Sequence, residues 1–595
     1  TGGFWKGRDE LNFAATLPAV QKSFEASGRF AAFRCDWREG QPRKPHFFWD
    51  SDVAKWMEGA AYALARHPDS ALEAFVEELI DRIEEHQEEN GYFNIYFTVC
   101  EPDGRFRRRD CHELYCAGHL MEAAVAWYES TGRDRFLRIM CRYADCIARA
   151  FKIEGTAAFA TPGHEEIELA LLRLFRCTGE RRYLELAQFF IDQRGGNTKD
   201  ASGFIDWAQP SYDQSHCPAR AQHSAEGHSV RACYFYAAMA GLAKETGDTA
   251  LQAACASIFT DIVTKKMYVT GGIGQSHVGE AFTLPYDLPN ASAYNETCAA
   301  IALVFFARRM QALSPKAVYA DVIERLLYNA ALSGVSLDGS AFFYENPLEC
   351  QPALRHRDAS VRPQHRGRMP ATRRVVDFSC SCCPPNVTRF FASIGEDCFG
   401  AANGGYYVHQ YMPCEMVHGG ARIRVETNYP ADGEVRVFAE RCRFIALRIP
   451  QWCAAFSLNV DYTLCEGYAV IERPMGEIAL RLQMQPVLLQ ASNRVRENNG
   501  KAAMQRGPVI YCLEEADNGP LLNNLSVARD CRPTVAFDAA LGVPVISAEG
   551  LRLPDSEALY APLSQERQPA VLRFIPYFAF ANREEGEMAV WVRVE

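Results

Sequence analysis

The sequence lacks the features of membrane proteins and of nucleic-acid-binding proteins. None of its uninterrupted apolar runs reaches the roughly 18 residues that a membrane-spanning helix needs, so no membrane span is expected. The net charge is -11, and basic residues gather only in short runs such as residues 105–109. Because nucleic-acid binding depends on extended basic surfaces, a nucleic-acid partner is not expected either.

Nucleotide-binding spacings are also missing. The glycine-rich segment 270–282 has neither the Walker spacing nor a Rossmann context, so it gives no sign of a phosphate site. Its glycines instead favour a loop whose backbone approaches a ligand closely.

The 22 cysteines do not frame a small loop-rich scaffold of the kind that disulfides hold together in secreted domains. Several lie in helical-looking segments, among them Cys141, Cys233 and Cys255. This pattern predicts a reducing compartment, with the cytoplasm as the default. The chain starts at Thr1 without a methionine, which is compatible with the removal of a leader.

From about residue 50 to residue 400 the apolar residues follow a helical period. One stripe consists of Leu72, Phe75, Val76, Leu79, Ile80 and Ile83. A weak repeat accompanies the period, because Thr131-Gly132, Thr178-Gly179 and Thr246-Gly247 each follow an apolar helix. Glycine at these places is typical of a helix C-cap. The region therefore predicts a series of similar helical hairpins.

A histidine precedes each of these Thr-Gly pairs, and the three are His112, His164 and His228. Stacked helical hairpins form either an open solenoid or a closed toroid of inner and outer helices. In the closed form the inner helices begin around one cavity, which would gather the three histidines at a single mouth. For each histidine alone, a capping or core role remains the alternative.

After about residue 400 the pattern changes to short alternating segments, which are typical of a β-sandwich. Segment 505–575 is richer in proline and loop residues, and the final stretch alternates again. We predict a catalytic domain at 1–400 and a sandwich at 401–504. Strands from 576–595 would complete that sandwich, with 505–575 inserted as a second small β domain.

Cys380, Cys382 and Cys383 stand directly before two prolines that stiffen the backbone. Adjacent thiols do not bridge each other easily, so Cys382 and Cys383 favour a presented pair of metal-binding thiolates. Upstream, Glu296 and Cys298 begin an apolar helix. Together the four side chains offer three sulfurs and one oxygen, a set that suits tetrahedral zinc. The alternative is a chance cluster of buried cysteines.

Glu280 lies between a glycine and apolar residues at the end of the glycine-rich segment. Desolvation there would favour the protonated carboxyl, as a general acid requires. An ordinary solvated loop carboxylate is the alternative.

Several separated motifs resemble glycoside hydrolase family 127, the β-L-arabinofuranosidases. They are Gly279-Glu280-Ala281-Phe282, Glu296-Thr297-Cys298, the run from Cys380 to Asn386, the run from His112 to His119, and Thr161-Pro162-Gly163-His164. The resemblance covers nearly the whole chain, including the opening Gly3-Phe4-Trp5. Only the segment from Glu349 to Arg374, rich in arginine and proline, looks less typical, and it would alter the rim of the site.

The resemblance implies an (α/α)6 toroid followed by C-terminal β-sandwich domains. It implies a retaining exo-glycosidase that releases terminal β-L-arabinofuranose from plant-type glycans or glycopeptides. Cys382 would be the nucleophile and Glu280 the acid/base. The cofactor would be Zn2+, held by Glu296, Cys298, Cys382 and Cys383, and the substrate would contact His112, His164, His228 and His277. An oligosaccharide or glycan is the expected partner, and a homodimer is left open.

Two other readings remain at this point. One keeps the mechanism but changes the sugar to another furanoid or branched deoxy sugar of plant pectin. The other is a non-catalytic carbohydrate-binding protein with a structural zinc. The presence of both Glu280 and Cys382 argues against a binding protein, which needs neither.

Overall fold

The computed structural model describes residues 2–201, 209–352, 372–378, 380–556, 558–562 and 566–595. Its helices up to residue 400 are α1 (Gly3–Leu11), α2 (Leu17–Ser27), α3 (Trp49–Leu64), α4 (Ser70–His86), α5 (Ile95–Val99), α6 (Glu113–Thr131), α7 (Arg135–Ala148), α8 (Ile167–Thr178), α9 (Arg181–Gln193), α10 (Ser229–Thr246), α11 (Thr249–Asp261), α12 (Thr297–Leu313), α13 (Ala317–Tyr328) and α14 (Cys383–Ala392). None of the helices in this described part combines the length and apolar character that a membrane span requires.

Within the described residues, six inner helices form a closed ring. In order around the ring they are α3, α6, α8, α10, α12 and α14, and α14 packs back against α3. The outer layer consists of α1 with α2, then α4, α7, α9, α11 and α13, each packed on an inner helix. The helical half is therefore the predicted (α/α)6 toroid rather than an open solenoid.

Burial differs between the two layers as their positions require. Residues 229–243 of the inner helix α10 are all buried, so this helix touches protein on every side. The outer helix α4 buries only the stripe Val76, Leu79, Ile80 and Ile83. These four residues are the buried part of the apolar stripe seen in the sequence. The opposite face of α4 is exposed to solvent.

The predicted glycine C-caps are confirmed. Gly132, Gly179 and Gly247 follow α6, α8 and α10, with φ of 73°, 76° and 71°. This left-handed conformation suits glycine because it has no Cβ. The repeated caps end three inner helices in the same way and turn the chain toward the outer layer.

The strands are β1 (Glu349–Cys350), β2 (Phe399–Ala402), β3 (Gly405–Val408), β4 (Cys414–His418), β5 (Ala421–Thr427), β6 (Glu434–Glu440), β7 (Phe444–Arg448), β8 (Phe456–Leu458), β9 (Thr463–Cys465), β10 (Tyr468–Glu472), β11 (Glu477–Leu482), β12 (Pro486–Leu489), β13 (Lys501–Arg506), β14 (Val509–Glu514), β15 (Leu525–Val527), β16 (Thr534–Asp538), β17 (Val543–Arg552), β18 (Gln568–Pro576), β19 (Met588–Ala589) and β20 (Trp591–Val594). In the described chain, two five-stranded sheets have the orders β2-β3-β7-β10-β9 and β4-β5-β6-β11-β8. A ten-stranded sheet follows the order β1-β19-β14-β18-β17-β15-β20-β13-β12, with β16 on β17.

The predicted insertion within a sandwich is wrong. The terminal strand β20 pairs with β13 and β15, and β19 pairs with β14 and β1. The two smaller sheets are complete once β11 is in place, and the terminal strands close the sheet that begins at β12. An alternating pattern indicates a strand but does not identify its partner, since that choice depends on long-range packing.

The ten-stranded sheet is joined to the helical half by paired backbone. Glu349 and Cys350 of β1 lie opposite Ala589 and Met588. In addition, Asn329, just after α13, donates to Pro508 O at 2.9 Å and accepts from Ile510 N at 2.7 Å. These contacts fix the last sheet against the outer face of the toroid.

Candidate functional site

The candidate site lies where the inner helices begin. His112, His228, Glu296 and Cys382 directly precede α6, α10, α12 and α14. Because helix N-termini carry partial positive charge, this mouth of the toroid favours carboxylates and thiolates. The matched positions noticed in the sequence therefore reflect one shared location in the fold.

Glu296, Cys298, Cys382 and Cys383 form a compact cluster, and their ligand atoms all lie within 4.8 Å of one another. The Sγ atoms of Cys298 and Cys383 are 3.3 Å apart, and those of Cys382 and Cys383 are 3.8 Å apart. Glu296 Oε1 lies 3.8 Å from Cys382 Sγ and 3.7 Å from Cys383 Sγ. The structure thus brings together two sequence motifs that are far apart in the chain.

These distances fit a metal site. A tetrahedron with metal–sulfur bonds of about 2.3 Å has edges of about 3.8 Å, close to the separations in the cluster. The second carboxylate oxygen of Glu296 is buried and has no hydrogen-bond partner among the described residues. A divalent cation would compensate this buried charge, so the residues present fit the expected metal.

The cluster concentrates its negative charge on one sulfur. Hydrogen bonds from Cys298, Cys380 and Cys383 hold the pKa of Cys382 well below the usual value for a thiol. Burial instead raises the pKa of Cys383. Burial, together with the charge of Cys382, raises the pKa of Glu296. Cys382 is therefore the sulfur most ready to act as a thiolate.

Two groups beside Cys382 give no signal in the sequence. The hydroxyl of Tyr344 lies 3.5 Å from Cys382 Sγ. Lys55 on α3 donates to the Tyr115 hydroxyl at 3.1 Å. Burial lowers the pKa of Lys55, but the charges of Asp52 and Cys382 outweigh this effect and raise it. The site thus contains a phenol and a buried cation, both contributed by single residues without a motif.

Glu280 sits in a short turn (Val278–Glu280) whose Gly279 and Glu280 have φ of 69° and 53°. Its carboxylate lies 2.6 Å from His228 Nε2. The other ring nitrogen of His228 accepts from the backbone N–H groups of Val230 and Arg231, at 3.2 and 3.4 Å. Since Nδ1 is an acceptor, Nε2 carries the ring proton and donates a hydrogen bond to the Glu280 carboxylate.

Glu280 also lies close to the cluster of Glu296 and the three cysteines. One ligand atom from each of His228, Glu280 and Glu296 lies within 4.8 Å of the others. Tyr294 lies beside Glu280, since burial and then the charge of Glu280 raise the pKa of its hydroxyl. The two side chains expected to do the chemistry, Cys382 and Glu280, therefore face one space.

His112, His164 and His228 form a row. The ring centroids of His112 and His164 are 5.6 Å apart, and those of His164 and His228 are 5.7 Å apart. His112 Nδ1 donates to Asp110 O at 2.8 Å, and His164 Nδ1 donates to Glu165 O at 2.9 Å.

The first two rings of this row are neutral. Burial lowers the pKa of His112 to about 3, and the charge of Arg231 adds to the effect. Burial also lowers the pKa of His164 well below its usual value. With the proton on Nδ1, each ring keeps Nε2 as an acceptor, which suits hydroxyl donors.

His277 has different neighbours from the histidine row. Its Nδ1 lies 3.5 Å from Glu345 Oε1, and its ring packs on Tyr294 with the centroids 5.1 Å apart. His277 is joined to the site through Tyr294, whose hydroxyl is affected by the charge of Glu280. Most of the atypical rim segment 349–374 lies outside the described residues.

Comparisons with known proteins cover nearly the whole chain. The family model "Beta-L-arabinofuranosidase, GH127 catalytic domain" matches residues 1–396. The models of the middle domain and the C-terminal domain of glycoside hydrolase family 127 match residues 405–484 and 486–593. Apart from β2 and β1, which lie earlier in the chain, the last two ranges correspond closely to the strands of the two smaller sheets and of the ten-stranded sheet.

A non-reducing end β-L-arabinofuranosidase from Bifidobacterium longum is 37% identical over 593 residues, covering 92% of this chain and 89% of that protein. A solved family 127 β-L-arabinofuranosidase from Geobacillus stearothermophilus T6 is 41% identical with a TM-score of 0.94, covering 100% of this chain and 99% of that one. A solved family 127 β-arabinofuranosidase is 33% identical with a TM-score of 0.89, covering 100% and 96%. This chain therefore belongs to glycoside hydrolase family 127.

Proposed function

We propose that this glycoside hydrolase is a retaining exo-acting enzyme that releases β-L-arabinofuranose from the non-reducing ends of plant-type glycans or glycopeptides. The observation that supports this proposal most directly is that Cys382 and Glu280 lie around one common space. Glu296 links them, since it lies 3.8 Å from Cys382 Sγ and groups with Glu280 and His228 within 4.8 Å. The sugar identity is taken from the relatives that share this fold and site.

Binding of a furanose would use the neutral histidines. Nε2 of His112 and of His164 would accept hydrogen bonds from sugar hydroxyls. The Tyr115 ring packs 4.2 Å from the His164 ring, which holds the imidazole in place. His164 is buried and His112 is half-buried, so competition from water for these hydrogen bonds would be limited.

Glu296, Cys298, Cys382 and Cys383 would hold one divalent ion, proposed to be Zn2+, which would keep the thiols deprotonated while leaving the site with net negative charge. Cys382 Sγ attacks the anomeric carbon, and the carbon–sulfur bond forms as the bond to the leaving oxygen breaks. Glu280 gives its proton to that oxygen.

In the second displacement of the reaction, Glu280 takes a proton from water. The water oxygen attacks the anomeric carbon, and the carbon–sulfur bond breaks to return the thiolate. Two displacements on the same carbon retain its configuration. His228 donates to the Glu280 carboxylate at 2.6 Å, so it keeps the base oriented between the two steps.

The sugar assignment is tested with a panel of aryl glycosides. We expect hydrolysis of the β-L-arabinofuranoside at a rate at least about tenfold above that of other furanosides, because each misplaced hydroxyl leaves a buried acceptor unpaired. The anomer released first is read by NMR and should keep the β configuration. A clear preference for another furanoid or branched deoxy sugar would replace the sugar assignment but keep the mechanism.

Metal content gives an independent prediction. Purified protein should contain about one zinc per chain, because the cluster supplies one tetrahedral donor set. Cys298→Ser and Cys383→Ser should each lower the bound metal strongly, since serine is not ionised at neutral pH. Elemental analysis and native mass spectrometry measure this directly.

The control for the metal prediction is Cys380→Ser, which removes a neighbouring thiol that lies outside the four-residue cluster. It should keep the metal. Full occupancy in Cys298→Ser, or a metal-free protein with full activity, would contradict the proposed centre.

A further prediction concerns the contact between His228 and Glu280. His228→Asn keeps an N-cap for α10 but is too short to reach Glu280. Loss of the donor favours the protonated carboxyl, so the basic limb of the pH profile of kcat/KM should move to higher pH. The thermal midpoint should change little, because the cap remains. An unchanged pH profile would show that His228 has only a structural role.

A further inference from the structure

A cavity of about 420 Å³ lies at the opposite end of the toroid from the candidate site, where the inner helices finish. We call it the rear cavity. Among the residues that line it are Glu122, Arg173, Arg176, Lys244, Arg308 and Arg309. The strand β2 and His409 complete its wall. None of the residues of the candidate site at the front mouth takes part in this lining.

Most charges of the rear cavity are paired within the protein. Arg173 contacts three carboxylates, those of Glu58, Glu122 and Glu129, at 3.1, 2.5 and 2.9 Å. The remaining pairs of this kind are Arg389 with Glu58 at 2.8 Å, Arg308 with Asp397 at 2.7 Å and with Glu396 at 3.4 Å, and Arg176 with Glu245 at 2.7 Å. These pairs neutralise most of the wall.

Arg309 and Lys244 are the exceptions. Neither forms an ion pair within the described part of the chain, and Arg309 Nε is buried there without an acceptor. Burial lowers the pKa of Arg309 to about 10, and the charge of Arg176 contributes in the same direction. Burial and then the charge of Arg176 also lower the pKa of Lys244. Arg309 is half-buried and Lys244 is exposed. The charges of Glu122 and Glu396 offset part of the effect on Arg309, and the charge of Glu245 offsets part of the effect on Lys244. No carboxylate of the described residues forms an ion pair with either cation.

The helix ends explain only part of this arrangement. The negative ends of the inner-helix dipoles favour cations at the rear of the toroid. However, the carbonyls of Phe175 and Ala243 near these ends already accept the N–H groups of Gly179 and Gly247. A helix dipole also supplies no acceptor for a buried N–H such as Arg309 Nε. A bound acceptor with negative charge would satisfy both requirements.

We propose that the rear cavity is a binding site for a compact oxyanion, a phosphate or a small carboxylate, held by Arg309 and Lys244. A guanidinium binds two oxygens of such an anion with its planar fork, and an ammonium adds a point charge. The cavity volume accommodates phosphate or an anion the size of citrate.

The test is isothermal titration of the full-length metal-loaded protein with inorganic phosphate, citrate and chloride at constant ionic strength. Phosphate or citrate should bind with one site per chain and raise the thermal midpoint, whereas chloride should not. The anion that binds more tightly shows whether the site selects a phosphate or a carboxylate. Arg309→Met and Lys244→Met should each weaken this binding by at least about tenfold, as expected for the loss of one charged hydrogen-bond donor.

Separate control variants test whether the protein folds and whether the anion binds in the rear cavity. Removal of an unpaired, half-buried cation should leave the anion-free thermal midpoint unchanged or higher, so Arg309→Met is expected to fold. Arg182→Met removes an arginine from the outer helix α9, where it pairs with Asp145 at 2.9 Å, and should leave binding unchanged. Cys382→Ser should also leave it unchanged, which distinguishes the rear cavity from the front site.

Two outcomes would overturn the proposal. One is the absence of binding by both oxyanions at millimolar concentration. The other is binding that survives Arg309→Met and Lys244→Met but is lost in Cys382→Ser. Neither outcome affects the proposed glycosidase function, because that function does not use the rear cavity.

Discussion

Replacement of Cys382 by serine should abolish turnover of every substrate, with a loss of at least about 10⁴-fold in kcat. A serine hydroxyl is not ionised at neutral pH and binds zinc poorly, so both the attack and the metal site suffer. A better leaving group cannot compensate, because no nucleophile remains. Rates with an aryl furanoside and with a natural disaccharide, measured beside metal content, check this expectation.

Cys380→Ser is the matched control, because Cys380 is a neighbouring thiol that donates a hydrogen bond to Cys382. It should reduce the rate by no more than about tenfold, as expected for the loss of one hydrogen bond to a charged group. If Cys382→Ser kept near-normal rates while Cys380→Ser abolished them, the nucleophile would be Cys380. Trapping with a mechanism-based inactivator and peptide mass spectrometry would then locate the modified sulfur.

The helical half was predictable because its signals are local. A period of 3.6 residues, glycine C-caps and a repeated histidine each depend on residues close together in the chain. Gly132, Gly179 and Gly247 have the backbone conformation that the repeat predicted. The repeat alone left a solenoid and a toroid open, since closure depends on the contact between α14 and α3.

For the sheets, local sequence patterns predicted the strands but not their pairing. The alternating terminal stretch correctly indicated strands, but it did not reveal that β20 lies between β15 and β13. The β15–β20 pair is parallel, while every other pairing of the ten-stranded sheet is antiparallel in the described residues. Such a choice depends on which edge is available after β13 to β18 have packed, and period alone contains no such information.

For the candidate site, the sequence motifs identified the residues whose chemistry is unusual. Thiols next to one another and a carboxylate two residues from a thiol stand out in any sequence, and Glu296, Cys298, Cys382 and Cys383 do meet. Tyr344 and Lys55 contact the same space but belong to residue types that are common in helices and loops. Only their positions in three dimensions distinguish them.

Glu280→Gln should separate the two chemical steps that Cys382→Ser removes together. The amide keeps the contact with His228 in size and shape but cannot give or take a proton, so hydrolysis of a natural disaccharide should fall by about 10²- to 10⁴-fold. An aryl furanoside with a good leaving group needs no proton for its departure. Its first turnover should therefore remain fast and appear as a burst, followed by slow release of the sugar.

Azide provides the decisive measurement, because this anion attacks the anomeric carbon without the help of a base. It should restore turnover of the aryl substrate by Glu280→Gln and give a glycosyl azide of retained configuration. Asp287→Asn is the matched control, since Asp287 is an exposed carboxylate on the same loop, bonded to the Thr283 hydroxyl at 2.7 Å. It should keep normal rates and show no response to azide. If Glu280→Gln lost the aryl and natural substrates equally and azide restored neither, Glu280 would not be the acid/base, and the space it shares with Cys382 would serve substrate binding instead.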